Sequence, residues 1–194
     1  MSEGIAPAPP SIVRCGWAGD DPLMVAYHDQ EWGVPVRDDA ALFERLMLEC
    51  FQAGLSWRTI LHRREQFHRA FDGWDAERIA RYGPDDLARL LADPGIIRNR
   101  LKVEGAVKNA RAYLQIREET GSFSDYLWSF TGGDVLDRPA PQSMADIPAT
   151  TPESDSLSKA LKKRGFTFVG STICYAFMQS AGLVNDHVVG CVSR

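Results

Sequence analysis

The chain has 194 residues, with 22 Lys and Arg against 26 Asp and Glu, and its net charge of −4 excludes a polycation; contact with nucleic acid would have to come from local basic patches. Hydrophobic residues make up 44%, enough for a real core in one domain or two small interleaved lobes. No apolar run is long enough to span a membrane, and no secretory hydrophobic region follows Met1, so the expected compartment is a reducing cytoplasm that favours thiolate–metal chemistry over disulfides.

Residues 1–13, rich in Pro, Ala and Gly, read as a flexible tail, followed by one domain from 14 to 194. Asp38 or Asp39 can cap a helix through ALFERLMLECFQA, and Asp75 can cap AERIARY. Pro84 suits the first turn of PDDLARLLAD. LKVEGAVKNARAYLQIREE is a strong helical stretch, and a shorter one lies around SDYLWSF. The Pro- and Gly-rich TGGDVLDRPAPQSMADIPATT predicts a connector. Pro152 opens the next helix, Gly165 stops it, GFTFVG is expected to be short and extended, and STICYAFMQSAG returns to helix. The predicted fold class is mainly α. Cys50 and Cys174 sit in apolar stretches and read as small buried hydrophobes.

Three constellations carry chemistry. The first is Cys15 and His28 near one end with His187 and Cys191 near the other. Half of the four Cys and half of the four His fall in these two windows. On a helix or tight turn, His187 and Cys191 would point the same way. Together the four suffice for a closed tetrahedral Zn²⁺ site that staples the two ends. By spacing alone they also fit four unrelated residues.

The second is LADPGIIRNRLKVEGAVKNARAY. It reads as a helix, a tight turn at 94–97, and a second helix beginning near Arg98 or Asn99. Gly95 lets the backbone turn sharply, and the following helix start offers amides and a positive dipole end to a phosphate. Arg98, Arg100, Lys102, Lys108 and Arg111 add charge. Such a helix-hairpin-helix holds a DNA backbone without reading bases; an ordinary corner with a solvated basic face fits equally. The basic runs His62-Arg63-Arg64 and Lys159 through Arg164 would grip phosphate or keep helices soluble.

The third is Trp17, Tyr27, Trp32 and Trp57 around Glu49. Glu49 falls on the edge of the stripe formed by Leu42, Leu46 and Ala53, where a carboxylate is costly unless paired or employed. A salt bridge to Arg45 would account for it, and Trp32 and Trp128 default to packing. Aromatic walls with one carboxylate suit a flat cationic ligand such as an alkylated purine.

RCGW at 14–17, YHDQEWG at 27–33, LECFQAGLSW at 48–57, GIIRNR at 95–100, ARAYLQ at 110–115, LSKALKKRGF at 157–166 and VGSTICYAFMQSAGLVNDHVVGC at 169–191 closely resemble the 3-methyladenine DNA glycosylase I family. The resemblance covers residues 14 to 191. It implies a two-lobed helix-hairpin-helix glycosylase fold, with a hairpin lobe over roughly 40–130 and a zinc lobe from 14–39 plus 131–194. It implies one structural zinc on Cys15, His28, His187 and Cys191, and a base pocket on Glu49, Tyr27 and Trp57 with Trp17 nearby. Contacts to DNA are expected from Gln52, Gly54, Leu55, Gly95, Ile96, Arg98, Arg100 and Lys102, with Leu55 as an apolar wedge.

The implied activity is base-excision repair: flipping out 3-methyladenine and releasing it hydrolytically from alkylated double-stranded DNA, without a lyase step, in a cytoplasmic monomer. The family's LEGQQAGLSW reads LECFQAGLSW here, so Cys50-Phe51 replaces a smaller, more polar pair behind the pocket. The family also lacks the catalytic Asp that the wider superfamily places beyond the hairpin, and this chain has none there. The chain stops soon after Cys191, so the final turn is expected to be weakly buttressed. A catalytic zinc hydrolase fits poorly, because four protein ligands leave no position for water and no HExxH pair exists. A zinc-stapled DNA-binding module would need the hairpin but not Glu49; release of free base separates the readings.

Overall fold

A computed structural model describes residues 13–194; the expected tail lies almost wholly outside them. Among the described residues ten α-helices follow in chain order: α1 (Pro22–Gln30), α2 (Asp39–Gln52), α3 (Trp57–Leu61), α4 (Arg64–Ala70), α5 (Ala76–Ala80), α6 (Pro84–Ala92), α7 (Arg100–Thr120), α8 (Phe123–Trp128), α9 (Pro152–Lys163) and α10 (Ser171–Ser180). None is long and apolar enough to cross a membrane.

Most helix starts obey local capping chemistry. Asp38 caps α2 through the Ala41 amide at 2.8 Å, and Asp75, Asn99 and Thr151 cap α5, α7 and α9. Asp39 instead reaches the first turn of α8, accepting from the Phe123 and Ser124 amides at 3.1 and 2.7 Å. Pro84 and Pro152 stand at N1, and α9 stops before Gly165 at φ +92°. The short helices α1, α3 and α4 were not anticipated. Helix α1 buries only Met24, Tyr27 and His28, too few to make a periodic stripe.

GFTFVG forms no strand. The backbone of Thr167 is satisfied by a side chain instead: its N–H donates to Asn109 Oδ1 at 2.8 Å, and its carbonyl accepts from Asn109 Nδ2 at 3.1 Å. An amide side chain imitates one rung of a ladder, so no neighbouring strand is needed. Among the described residues the single β-bridge joins Leu136 to Val184.

The main core runs from α2 to Val184, with α7 packed on α5, α6 and α8 and α10 on α9 and α2. Trp128 is buried there, donating to the Val36 carbonyl at 2.9 Å under the Arg37 guanidinium. Cys50, Phe51 and Cys174 belong to this core, Phe51 among Phe67, Phe71 and Trp74. A second, smaller core gathers Cys15, Met24, Tyr27, Trp32, Leu61, Val188 and Cys191, with Trp17 and Trp57 against it. This small core holds the chemistry.

Candidate base pocket and metal centre

Cys15 precedes a short helical turn at Gly16–Ala18, and His28 lies in the last turn of α1. His187 and Cys191 occupy the loop after α10. The loop is pinned by Asp186, fully buried, which accepts from Tyr175 and Gln179 and pairs with Arg138 at 2.6 Å. The four ligand atoms lie within 4.8 Å of one another, and all four residues are buried. Cys15 Sγ is 3.6 Å from His187 Nδ1; Cys191 Sγ is 3.4 Å from both His28 Nε2 and His187 Nδ1.

The outer nitrogens are also fixed. His28 Nδ1 meets Asp29 Oδ1 at 2.7 Å, and Arg14 holds that carboxylate with a two-pronged contact. His187 Nε2 meets the Trp32 carbonyl at 3.0 Å. Each imidazole is thereby oriented by an outer hydrogen bond, as metal-ligating histidines are. These four residues could hold a metal ion. The weak final turn expected from the sequence is corrected: Val192 N–H donates to Val13 O at 2.9 Å, and the Arg194 guanidinium donates to the His187 carbonyl.

Beside this cluster opens a cleft of about 480 Å³. Tyr27 and Trp57 form one wall, with ring centroids 5.0 Å apart, and Trp17 stands 6.1 Å from Tyr27. Gln52, Gln179 and Trp32 also line it. Glu49 reaches it from α2 with 3% of its surface exposed. Arg45 does not pair with Glu49; it turns to the carbonyls of Glu31 and Ser180. Glu49 Oε2 and Trp57 Nε1, both buried, have no hydrogen-bond partner. Burial pushes the Glu49 carboxyl up to about 8, against a smaller lowering by Ser180 and Arg45.

The loop after α2 is a type II turn. Ala53 sits at φ −43°, ψ 115°, Gly54 at φ +78°, and Leu55 N–H donates to Gln52 O at 2.6 Å. Only glycine takes the positive φ of its third position without strain. The turn leaves Leu55 40% exposed, and Ser56 then caps α3.

At the predicted hairpin the structure corrects several expectations. Gly95 does not adopt a left-handed conformation; a Cβ there would fit tightly, 3.0 Å from Asp93 Oδ1 and 3.1 Å from Gln66, so its neighbours would have to shift. Its N–H is taken by Asp93 Oδ1 at 2.7 Å. Among the described residues, the amides of Ile96, Ile97 and Arg98 donate to nothing in the protein. The Ile96 side chain is buried, so it anchors the turn to the core rather than meeting DNA.

Arg98 and Arg100 are exposed, Arg100 standing 3.6 Å from Glu104. Lys102 is not available to DNA: it is buried, with Nζ donating to the carbonyls of Phe51 and Ala53 at 2.7 and 2.6 Å. The 62–64 run is likewise spent internally. His62 meets Asp21 at 2.7 Å, Arg63 holds the carbonyls of Pro94 and Gly95 at 3.0 and 3.1 Å, and Arg64 holds Glu31 at 2.6 Å.

The sequence had set Trp32 aside as packing, yet it lines the cleft and orients His187. Asp29 was also missed, although its place beside His28 was a usable signal. Gln179 and Asp186, by contrast, could be found only through the fold.

A mainly helical scaffold with an aromatic-walled cleft and two unpartnered polar atoms, Glu49 Oε2 and Trp57 Nε1, suits a planar, hydrogen-bonding ligand. The chain belongs to the methyladenine glycosylase family, whose model matches residues 17–194. It is an enzyme of the N-glycosyl hydrolase class. DNA-3-methyladenine glycosylase 1 of Escherichia coli (strain K12) is 52% identical to it over 178 residues, covering 92% of this chain and 95% of that protein. The Haemophilus influenzae DNA-3-methyladenine glycosylase is 46% identical, covering 92% and 96%. A solved structure of 3-methyladenine DNA glycosylase I from Staphylococcus aureus, described as the basis of 3-methyladenine recognition, superposes with a TM-score of 0.89 at 37% identity, covering 93% of this chain and 95% of that one.

Proposed function

We propose that this chain excises 3-methyladenine from alkylated double-stranded DNA, leaving an abasic site, as a monofunctional glycosylase acting as a monomer. The observation that carries the reading is the buried Glu49 carboxyl, with one oxygen unpartnered beside the Tyr27–Trp57 wall. A desolvated acid without a protein partner is poised for a ligand that supplies donors and positive charge.

N3-methylation makes adenine cationic in DNA, so the base leaves as a neutral molecule and no strong general acid is required. The nucleotide leaves the stack at a cost of about a few kcal/mol, less for a damaged base. Exposed Leu55 fills the gap as a wedge, with Gln52 and Gly54 beside it. In the empty cleft the Glu49 carboxyl is largely protonated at neutral pH. A cation entering against it lowers its pKa, and the carboxylate accepts from the adenine's donor edge. Trp57, Tyr27 and Trp17 offer π-faces that favour a cation over neutral adenine. Water then attacks C1′, the C1′–N9 bond breaks with its electron pair going to the base, and a proton passes to solvent. Lysine is absent from the residues lining the cleft, which supports hydrolysis without a lyase step.

For the metal group the reading is one structural zinc. Bond lengths of about 2.3 Å to sulfur and about 2.0 Å to nitrogen at tetrahedral angles give S···N edges of about 3.5 Å. The observed edges of 3.4, 3.4 and 3.6 Å fit. When bound, the ion supplies cross-linking and no Lewis-acid chemistry, because its four positions are filled. The turn between α6 and α7 is read as the hairpin that takes DNA between the lobes, through its free amides with Arg98 and Arg100. Chromatographic detection of free 3-methyladenine released from methylated duplex tests the function. Its absence from the supernatant of folded protein would overturn the reading.

A further inference from the structure

Lys102 has no role in the scheme above, and its setting is unusual. Among the described residues it makes no ion pair, yet it is buried, and an ammonium taken from water without a carboxylate is costly unless its donors are well used. They are used on the carbonyls of Phe51 and Ala53. Phe51 O is one of the last carbonyls of α2, which the helix itself leaves unsatisfied, and a cation there also meets the negative end of the helix dipole. Ala53 O belongs to the type II turn that presents Leu55. The other end of Lys102 is fixed in the first turn of α7, where its N–H is capped by Asn99 at 3.2 Å. One side chain therefore spans from the start of α7, beside the hairpin, to the end of α2, which carries Glu49 one turn earlier.

We propose that Lys102 is a positioning residue that sets the Gln52–Leu55 turn relative to the hairpin, so that a duplex held by the hairpin meets Leu55 in register for base extrusion. The inference rests on the functional reading above, but it assigns Lys102 to the extrusion step and not to recognition of the base. Removing the ammonium leaves two carbonyls without their donor and frees the turn. The cleft walls stay in place, because Glu49 and Tyr27 are held by helix packing. The loss therefore falls on duplex substrate and spares free base.

The test is single-turnover excision from a methylated duplex, beside titration of free 3-methyladenine by tryptophan fluorescence, for wild type, Lys102→Met, Leu55→Ala and the double variant. Lys102→Met is expected to slow excision by about tenfold or more, in line with the rate penalty of a misplaced reacting group, while free-base affinity stays within twofold. The double variant is expected to be hardly slower than Lys102→Met alone, because the wedge has already lost its position. Additive losses, or equal losses of excision and free-base affinity, would overturn the proposal.

If Lys102→Met does not fold, Lys102→Arg keeps charge and donors on a stiffer group, and the same non-additivity with Leu55→Ala is required of it. Amide hydrogen exchange across the 53–56 turn must also quicken in the lysine variants relative to α2 itself. That readout decides the positioning claim even if wild type releases no 3-methyladenine, a result that would sink the functional reading separately.

Discussion

The Cys/His cluster and the aromatic cleft adjoin one small core, yet they treat their polar atoms in opposite ways. Around Cys15, His28, His187 and Cys191 each imidazole has an outer partner, and the partners are themselves held, Asp29 by Arg14 and the 184–191 loop by Asp186. In the neighbouring cleft, Glu49 Oε2 and Trp57 Nε1 are buried without a hydrogen-bond partner. A polar cluster whose members hold one another keeps structure in place, whereas two unpartnered polar atoms facing one cleft suit a site finished by something from outside. The difference separates stability from activity, and four experiments probe that separation.

The largest effect is expected at the cluster. Cys191→Ser or exhaustive chelation should lower stability by several kcal/mol, since metal-binding energy is folding energy. Activity should fall only in step with the folded fraction, measured by circular dichroism and base release on the same samples. Loss of activity in fully folded, metal-free protein would merge the two regions and break the comparison.

Trp57→Ala should come next. Deleting a stacking face removes about 1–3 kcal/mol, so excision should drop roughly tenfold to a hundredfold with little change in melting temperature. An unchanged rate would place the base elsewhere.

Glu49→Gln sharpens the contrast, because activity and stability should move in opposite directions. A carboxyl whose pKa rises on folding from 4.5 to about 8 keeps its proton while the unfolded chain gives one up. It therefore destabilises the fold progressively as pH rises above about 4.5, reaching the full penalty beyond about 8. The amide does not titrate, so Glu49→Gln should be more stable at pH 7 by on the order of 1–3 kcal/mol, a gap that closes in acid. Excision should fall partially, the substrate bond being intrinsically weak. In wild type kcat/KM should climb with pH through about 8, the free-protein value, and in the variant that climb should vanish. A variant less stable than wild type at pH 7 would mean that Glu49 is a structural carboxylate.

The smallest effect is expected at Arg98→Ala. DNA affinity should weaken by the same factor for all sequences, and the slope of log affinity against log salt should shrink by about one. An unaltered salt slope would make the turn a plain corner.

How much of this was legible follows from what each signal depends on. Helices announced by a proline at their start, such as α6 and α9, are written in neighbouring residues and were anticipated. Glu49 was legible as a carboxylate on the edge of an apolar stripe, though its solitude was not, since Arg45 stands one turn away and only the fold sends it to Ser180. Charge runs misled most. His62-Arg63-Arg64 and Lys102 look basic and available in the sequence, but each meets carboxylates or carbonyls supplied by distant segments. What a charge faces is a tertiary fact, whereas how a helix begins is a local one.

The cluster joins Cys15 to His187 across 172 residues of chain. On a ribosome, Tyr27, Glu49 and Trp57 are all made well before His187 and Cys191, but the small core they share stays open on one side until those two arrive. A nascent chain therefore carries the side chains of the cleft long before it has a cleft. Closing so long a loop costs entropy before its contacts repay it, so the cluster is expected to close late. The order of synthesis thus acts as a clock: the pocket is assembled among the last events of folding.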